Sequence, residues 1–403
     1  MDFNYSNEQT ALRETLQRFV DREYDFERRR ELAQSTLGYS AEAWARFAEF
    51  GLLSLPLPEE FGGFGGNAVD VMLVMELIGR GLLLEPFLST VVMCGGLIRN
   101  AASPPVKRSL LPRIGTGEIK LALACYEASG RYDLSHVTCS AAPGSGGGWS
   151  LTGQKTVVLD APSADYFLVS ARGGPGVSGA GANGAGGNGA GGNSAGGNGA
   201  GDPRGISVFL VGREAQGVSL LAYPTQSGGR AADLRLDDVW LGPDALIGTP
   251  GEGLAIVERA VDLGAAALCA EAVGIIAALN EATLNYLKTR KQFGVPIGKF
   301  QALQHRMADM FIAAEQAHSM AILAAVYADS EDAAERRRSV SAAKAYIGQA
   351  ARLVGQESVQ LHGAMGVVDD VIVSHYFKRL TMIELSLGDT DFHLGRFSSA
   401  LMG

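Results

Sequence analysis

Between two long helical patterns the chain reads Arg290-Lys291-Gln292-Phe293-Gly294-Val295-Pro296-Ile297-Gly298-Lys299-Phe300-Gln301. This stretch combines cations, amides, an aromatic ring and a tight Gly/Pro turn. Arg can bind a phosphate through two parallel hydrogen bonds, Phe can pack on a flat ring, and Gln can pair with the edge of a base or a ribose. Together these residue types suit a nucleotide-type cofactor. They are also typical of a helix end, where basic side chains complement the dipole, Gly294 caps and Pro296 prevents continuation.

The composition is that of a soluble globular protein with a large core. Of 403 residues, 47% are hydrophobic and 19% are charged. A net charge of −9 and a pI near 5.3 give no support for nucleic-acid binding. The four cysteines are far apart, without metal-ligand or disulfide spacing, which favours buried thiols in a reducing compartment. With neither a signal-sequence pattern nor an unbroken apolar run of 18 residues, we expect a cytoplasmic protein without a membrane span.

Hydrophobic periodicity changes twice along the chain, which predicts an α+β protein of three domains. Residues 1–120 have helical spacing, with the pattern of a capping box at Ser6 and Gln9, which predicts an N-terminal α-helical domain. Residues 121–245 alternate β-branched runs with turns, which predicts an antiparallel β-domain. Inside it, residues 173–201 consist almost wholly of Gly, Ala, Asn and Ser, and we interpret them as a flexible insertion. Residues 246–403 are helical again.

The C-terminal part predicts an antiparallel four-helix bundle, because short links join long helical patterns. Its first helix is unusually rich in small residues, which allow other helices to approach closely. The four predicted helices span residues 254–290, 301–328, 331–362 and 371–386.

A second motif, Gln360-Leu361-His362-Gly363-Ala364-Met365-Gly366, follows in the bundle. Helices, a β-domain and a bundle that carries R-x-x-F-G together with a Q-x-x-G-G-like segment resemble the acyl-CoA dehydrogenase family. The resemblance covers nearly the whole chain apart from the insertion. It implies that FAD lies between subunits and that both motifs reach over to hold its pyrophosphate and adenosine. The residues that match this role are Arg290, Gln292, Phe293, Gln301, Gln360 and Gly363. Ala364 replaces the second Gly of the family motif.

The resemblance also implies a catalytic carboxylate, which removes the α-proton of an acyl thioester while the flavin takes the β-hydride. Matching the family's two alternative base positions to this chain gives Leu387 and Gly264. Neither residue can accept a proton, so we predict no catalytic base in this chain.

The flavin-facing positions of the family are altered as well. The T-E-P and G-S-D signature reads Tyr126-Glu127-Ala128 and Arg131-Tyr132-Asp133, and the W-x-T segment reads Val157-Val158-Leu159. A bulky Arg-Tyr pair in place of Gly-Ser would fill space that a flavin needs.

A chain that keeps the nucleotide arm and lacks a base resembles the non-catalytic subunit of a heteromeric acyl-CoA dehydrogenase. Among such subunits, the chain most resembles the pimeloyl-CoA dehydrogenase small subunit. The resemblance implies a catalytic-type partner, an α2β2 assembly and an acyl-CoA substrate bound mainly by that partner. Two alternatives stay open: a self-sufficient homo-oligomeric dehydrogenase with a displaced acidic base such as Asp389, and a redox-inactive scaffold or binding protein. If the acids near residue 387 do not act as a base, we expect them to be solvated or to pair with Lys378 and Arg379.

Overall fold

The computed structural model describes residues 6–173 and 204–402. These residues form an N-terminal helical part, a central sheet and a C-terminal helical bundle, as the sequence predicts. Except for Gly173, the Gly-rich insertion predicted over residues 173–201 lies outside the described residues.

The N-terminal part is built of helices that pack their apolar faces together. The first begins with the predicted capping box, in which the Ser6 side chain accepts the Gln9 N–H and the Gln9 side chain accepts the Ser6 N–H. A π-helical segment, Leu88–Gly95, leads into the fifth helix. The helices are α1 Asn7–Glu23, α2 Phe26–Gln34, α3 Ala41–Glu49, α4 Ala68–Gly81, α5 Gly96–Ala101 and α6 Pro104–Gly115.

The central part is one sheet of mixed direction. Its main path runs β6-β7-β3-β2-β4-β5-β8, and β1 pairs with β4. Most neighbours are antiparallel, as expected, but β1 and β2 each run parallel to β4. The strands are β1 Leu121–Ala124, β2 Ser140–Pro143, β3 Trp149–Leu159, β4 Tyr166–Arg172, β5 Ile206–Gly212, β6 Val218–Pro224, β7 Arg230–Leu241 and β8 Leu246–Ile247.

The C-terminal bundle contains the four predicted helices and a fifth, α11, which the sequence analysis missed. Helix α11 packs against α9. Between α7 and α8 lies a small hairpin of strands β9 Lys291–Gln292 and β10 Val295–Pro296. The helices are α7 Gly253–Thr289, α8 Gln301–Ala328, α9 Ala333–His362, α10 Ile372–Leu385 and α11 Thr390–Met402.

Helices α4 and α7 approach so closely that glycine is required on both. A Cβ placed on Gly79 would lie 2.1 Å from the carbonyl oxygen of Glu271. A Cβ placed on Gly274 would lie 1.8 Å from the carbonyl oxygen of Glu76. These reciprocal backbone contacts explain the small residues of α7 and join the N-terminal helices directly to the bundle.

By length and composition alone, α7 and α8 would each be apolar enough to cross a membrane. An 18-residue window of α7 is 94% buried inside the fold, as in the core helix of a globular protein. The corresponding window of α8 is only 33% buried, so this helix exposes an apolar face.

Candidate functional site

The segment that opened the sequence analysis, residues 290–301, forms a projecting hairpin that we call the arm. Helix α7 ends before Arg290, and β9 pairs with β10 across a turn in which Phe293 and Gly294 have φ of 52° and 81°. Two-residue hairpin turns require a positive φ, which costs free energy for Phe but not for Gly. The Phe293 ring at the tip is 91% exposed. Such exposure of a large aromatic ring is typical of a group that contacts another molecule.

The second motif lies beside the base of the arm, although about seventy residues separate the two in sequence. The His362 ring, at the end of α9, stacks on Tyr286 of α7 with ring centres 4.4 Å apart. His362 Nδ1 lies 2.8 Å from the Ser358 carbonyl oxygen, and burial lowers the pKa of the imidazole. His362 is therefore a packed residue that joins the two motifs.

All six residues predicted to hold the cofactor are exposed, in positions from which they can reach a molecule outside the chain. Their roles as cofactor ligands stay predictions. They are Arg290, Gln292, Phe293, Gln301, Gln360 and Gly363.

The two positions that the resemblance assigns to a catalytic base meet at one point of the structure. A Cβ placed on Gly264 of α7 would lie 2.8 Å from Leu387 Cδ1 and 3.0 Å from Met93 Cγ. Leu387 is 5% exposed and follows α10 with a φ of 58°. The place where a carboxylate would act is thus filled by hydrocarbon from Leu387 and Met93.

Behind Leu387, buried donors fix the turn between α10 and α11. Lys344 Nζ donates to the carbonyl oxygens of Glu384 and Gly388 at 3.1 and 2.8 Å, and His393 Nε2 lies 3.1 Å from the Leu387 carbonyl oxygen. Burial lowers the pKa of Lys344 to about 8 and that of His393 to about 3. The turn is rigid, so Leu387 is held in its place.

The acids closest in sequence to this turn have structural partners. Asp389 Oδ1 accepts the N–H of Phe392 at 2.9 Å, which caps α11, and Oδ2 lies 3.4 Å from Arg131. Glu384 accepts the N–H and the hydroxyl of Thr390. The expected pairing of these acids with Lys378 and Arg379 is wrong.

The two basic residues have other partners. Lys378 pairs with Asp369 at 2.7 Å. Arg379 forms two hydrogen bonds with Glu271, at 2.5 and 2.7 Å. This bidentate pair crosses from α10 to α7, and sequence spacing within a single helix gave no sign of it.

The loop at residues 126–133 is fastened to the α10–α11 turn. The Tyr132 hydroxyl donates to the Leu385 carbonyl oxygen at 2.9 Å, and its ring lies 5.3 Å from that of Phe392. The Arg131 guanidinium lies over the Tyr132 ring at 5.5 Å. Tyr132 thus contacts the end of α10, whereas the Arg131 side chain is 80% exposed; that this pair fills space a flavin needs stays a prediction.

A buried ion pair holds the same loop from below. Lys155 Nζ donates to Glu127 Oε1 at 2.7 Å and to the Ser170 hydroxyl at 3.1 Å. Glu127 also accepts the backbone N–H groups of Thr138 and Cys139. These partners outweigh the effect of burial, so the pKa of Glu127 is lowered. The loop that carries Arg131 and Tyr132 therefore has a fixed position.

A polar cleft that no sequence pattern predicted lies next to these residues. The cleft, of about 750 Å³, lies where the N-terminal helices, the sheet and the bundle meet. Its charged lining residues are Arg29, Glu85, Asp160, Arg230, Glu271 and Arg379. One signal was present in the sequence, because Glu85 is a single acid within the otherwise apolar run 82–88.

Two family models match the chain on either side of the sheet. The acyl-CoA dehydrogenase N-terminal domain matches residues 6–118, and the acyl-CoA dehydrogenase C-terminal domain matches residues 251–402. Together they cover more than half of the sequence. The chain belongs to the acyl-CoA dehydrogenase family. It is a member of a family of FAD-dependent oxidoreductases, as the arm and its companion motif suggested.

Individual relatives agree with this assignment. An L-prolyl-[peptidyl-carrier protein] dehydrogenase of Serratia is 27% identical over 93% of this chain and 92% of its own. The ChsE4-ChsE5 complex of Mycobacterium tuberculosis is similar at a TM-score of 0.84, with 26% identity over 100% and 99% of the two chains. The FAD complex of PigA is similar at 0.86, with 25% identity over 100% and 99%.

The residues present fit one half of an FAD site and not the other. The exposed arm offers a guanidinium, amides and an aromatic ring, which suit a phosphate and an adenosine. Arg131 and Tyr132 stand where the resemblance implies small residues that face a flavin ring, and Tyr132 is bound to the end of α10, so this side suits a flavin less well. The exposed arm is placed where it can contact a nucleotide that lies outside this chain.

Proposed function

We propose that this chain is the non-catalytic subunit of a heteromeric FAD-dependent acyl-CoA dehydrogenase, which desaturates an acyl-CoA between its α and β carbons. In this role it supplies the arm that clamps the adenosine and pyrophosphate of FAD seated in a catalytic-type partner. One observation carries the proposal. Both family positions for the base, Gly264 and Leu387, converge on one point, and that point is apolar.

The chemistry of the reaction explains why an apolar base position argues against a catalytic role for this chain. Removal of an α-proton requires a carboxylate aimed at the substrate, because the developing charge needs an acceptor at a fixed place. FAD, when bound, accepts the hydride from the β carbon. Among the described residues near Leu387, the acids Asp389 and Glu384 are engaged in capping α11 and binding Thr390. The base of the assembly is accordingly assigned to the partner.

The exposed arm supports a partner that covers it. Full burial of a Phe side chain contributes about 1.5–3 kcal/mol, and the ring of Phe293 is almost fully exposed in the isolated chain. A largely apolar cleft of about 1250 Å³ lies between the arm and α8, and contains Leu284, Met307 and Phe311. Phe311 and Ile312 on α8 are 59% and 53% exposed. Apolar surface of this extent is typical of a protein–protein contact.

Heteromeric assemblies occur among similar structures, since the ChsE4-ChsE5 complex has two named components. By this likeness we propose an α2β2 assembly, in which this chain corresponds to the small-subunit type found with pimeloyl-CoA dehydrogenase. The partner then binds most of the acyl-CoA.

The proposal is tested by purifying the full chain alone and after co-expression with a catalytic-type acyl-CoA dehydrogenase subunit encoded nearby. The chain alone should be colourless and inactive, and the co-purified complex should be yellow and reduce a dye on addition of acyl-CoA. A yellow, active homo-oligomer would contradict the proposal. Absence of flavin from every assembly would favour the scaffold alternative.

The role of the arm is tested in the same complex with Arg290→Ala. Loss of a charge-assisted contact to the pyrophosphate should lower FAD affinity about tenfold or more, measured by retention of absorbance at 450 nm on gel filtration. The matched control is Arg338→Ala, which removes an exposed arginine from α9. Equal flavin retention in the two variants would reject the role of Arg290.

The displaced-base alternative makes a different forecast. If Asp389 were the base, Asp389→Asn would abolish turnover, whereas its observed role as the cap of α11 predicts a stability change of roughly 0.5 kcal/mol or less, because Asn caps a helix about as well as Asp. Measurement of turnover and melting temperature in the same complex separates the two roles.

A further inference from the structure

The polar cleft, defined above by its six charged residues, lies at the junction of all three parts of the chain. Its lining includes Leu159 of β3 and Ser386, which follows α10, together with Arg29 of α2 and Glu85. Charged groups interrupt an otherwise apolar wall that includes Met75 and other aliphatic residues. A hydrocarbon chain gains little from such a lining, because it cannot satisfy buried polar atoms.

The arginines of the cleft already have partners. Arg29 donates to the carbonyl oxygens of Leu82 and Ser227 at 3.3 and 2.5 Å and lies 2.8 Å from His375 Nδ1. Arg379 is held by both oxygens of Glu271.

Arg230 is engaged in the same way. Its Nη2 donates to the carbonyl oxygens of Ala33 and Ser35 at 3.0 and 2.7 Å. The three guanidinium groups are therefore committed to the fold, and an anionic ligand would have to compete with these contacts.

Two carboxyl groups of the cleft are not matched in this way. Glu85 is 6% exposed; its Oε1 accepts the Ser40 N–H at 3.1 Å, the Tyr24 hydroxyl interacts with its carboxyl group, and its Oε2 has no partner of ordinary hydrogen-bond geometry among the described residues. Asp160 uses Oδ2 to accept the Ser89 hydroxyl at 2.6 Å. Burial raises the pKa of Glu85 to about 7 and that of Asp160 to about 6. A buried acceptor without a donor costs free energy of folding. A ligand that carries a donor would remove this cost.

We infer that the polar cleft binds a small organic cation that carries N–H donors, such as a primary or secondary ammonium group, against the free oxygen of Glu85 and the carboxyl of Asp160. An ammonium supplies the missing hydrogen bond as a charge-assisted one. The aliphatic wall accommodates a short carbon chain attached to it. This inference does not rest on the proposed subunit role, since it concerns the cleft of this chain alone.

Three four-carbon probes that differ in charge test the inference on the full chain. Isothermal titration calorimetry at pH 8, where Glu85 is ionised, compares n-butylammonium, n-butanol and butyrate. We expect saturable one-to-one binding of n-butylammonium and at least tenfold weaker binding of the other two probes. Binding of butanol or butyrate as tight as that of butylammonium, or no saturable binding of butylammonium, would overturn the inference.

A pair of variants locates the site. Glu85→Gln keeps the shape and the acceptor for the Ser40 N–H but removes the charge, so the affinity for n-butylammonium should fall about tenfold to a hundredfold. Glu60→Gln removes an exposed acid elsewhere and should leave the affinity unchanged. Equal affinities in the two variants would refute the site. If Glu85→Gln does not fold, the comparison of probes on the unmodified chain decides.

Discussion

The contact between Gly264 and Leu387, the two family positions for the base, can be detected as a change in the sign of the stability effect of Gly264→Ala. In an exposed or spacious helix position, Gly→Ala stabilises by about 0.5–1 kcal/mol, because Ala loses less backbone entropy. At Gly264 the new methyl would lie 2.8 Å from Leu387 Cδ1, well inside the ordinary contact distance of 3.4 Å or more. Overpacking of a core costs about 1–3 kcal/mol. Gly264→Ala should therefore be neutral or destabilise the chain by up to about 2 kcal/mol.

Removal of Leu387 Cδ1 should reverse this effect. Leu387→Ala alone should cost about 2–5 kcal/mol, since Leu387 is almost fully buried. Adding Gly264→Ala to Leu387→Ala should then stabilise by about 0.5–1 kcal/mol, because Met93 is flexible enough to accommodate the methyl. The two backgrounds should differ by about 0.5–3 kcal/mol in their response to the same substitution.

Urea denaturation followed by circular dichroism, at equal protein concentration, gives the four free energies of unfolding of this cycle. Gly395→Ala is a matched control, because a Cβ at this position of α11 would meet no described atom within 4 Å. It should stabilise both backgrounds by about 0.5–1 kcal/mol. If Gly264→Ala changed stability by the same amount with and without Leu387, the two residues would not be in contact and the reasoning on the base position would be refuted.

Three further outcomes are expected. Glu127→Gln should destabilise by about 3–5 kcal/mol, measured by urea denaturation, because it leaves the Lys155 ammonium buried without its counter-charge. Tyr132→Phe should cost about 1 kcal/mol through its lost bond to Leu385, and an unchanged melting temperature would show that this contact is not formed in solution. Because the pKa of Glu85 is raised to about 7, its stabilising effect is present below about pH 4.5 and lost as pH rises through 7; Glu85→Gln should remove a pH dependence on the order of 3 kcal/mol.

The sequence predicted the features that depend on local patterns. The arm could be read from residues 290–301 because turn chemistry and hydrogen-bonding types are properties of neighbouring residues. The helical periodicity gave α7 to α10, and the capping box at Ser6 gave the start of α1. The assignment of Leu387 to a base position came from a count along the chain and stays a prediction; the structure adds that Gly264 lies against Leu387.

Features that depend on distant partners were missed. Helix α11 packs on α9, a contact between segments distant in sequence, and the local N-cap signal of Asp389 was overlooked. The parallel pairing of β1 with β4 is a property of chain topology. Arg379 pairs with Glu271, from which it is separated by 108 positions in sequence. Because local spacing gives no sign of this partner, the acids near residue 387 were expected to pair with Arg379 instead.

The glycine contacts between α4 and α7 limit what sequence change can do to this protein. A methyl group at Gly79 or Gly274 would have to push apart two helices whose backbones touch, and with them the two segments that match the family models. Substitution at the base position, in contrast, replaces one side chain by another of similar bulk. Substitutions at the contact between α4 and α7 are therefore poorly tolerated. Substitutions at the base positions leave the scaffold undisturbed, even where they remove a catalytic group. A chain of this kind can lose its own chemistry and still present its arm in the original place.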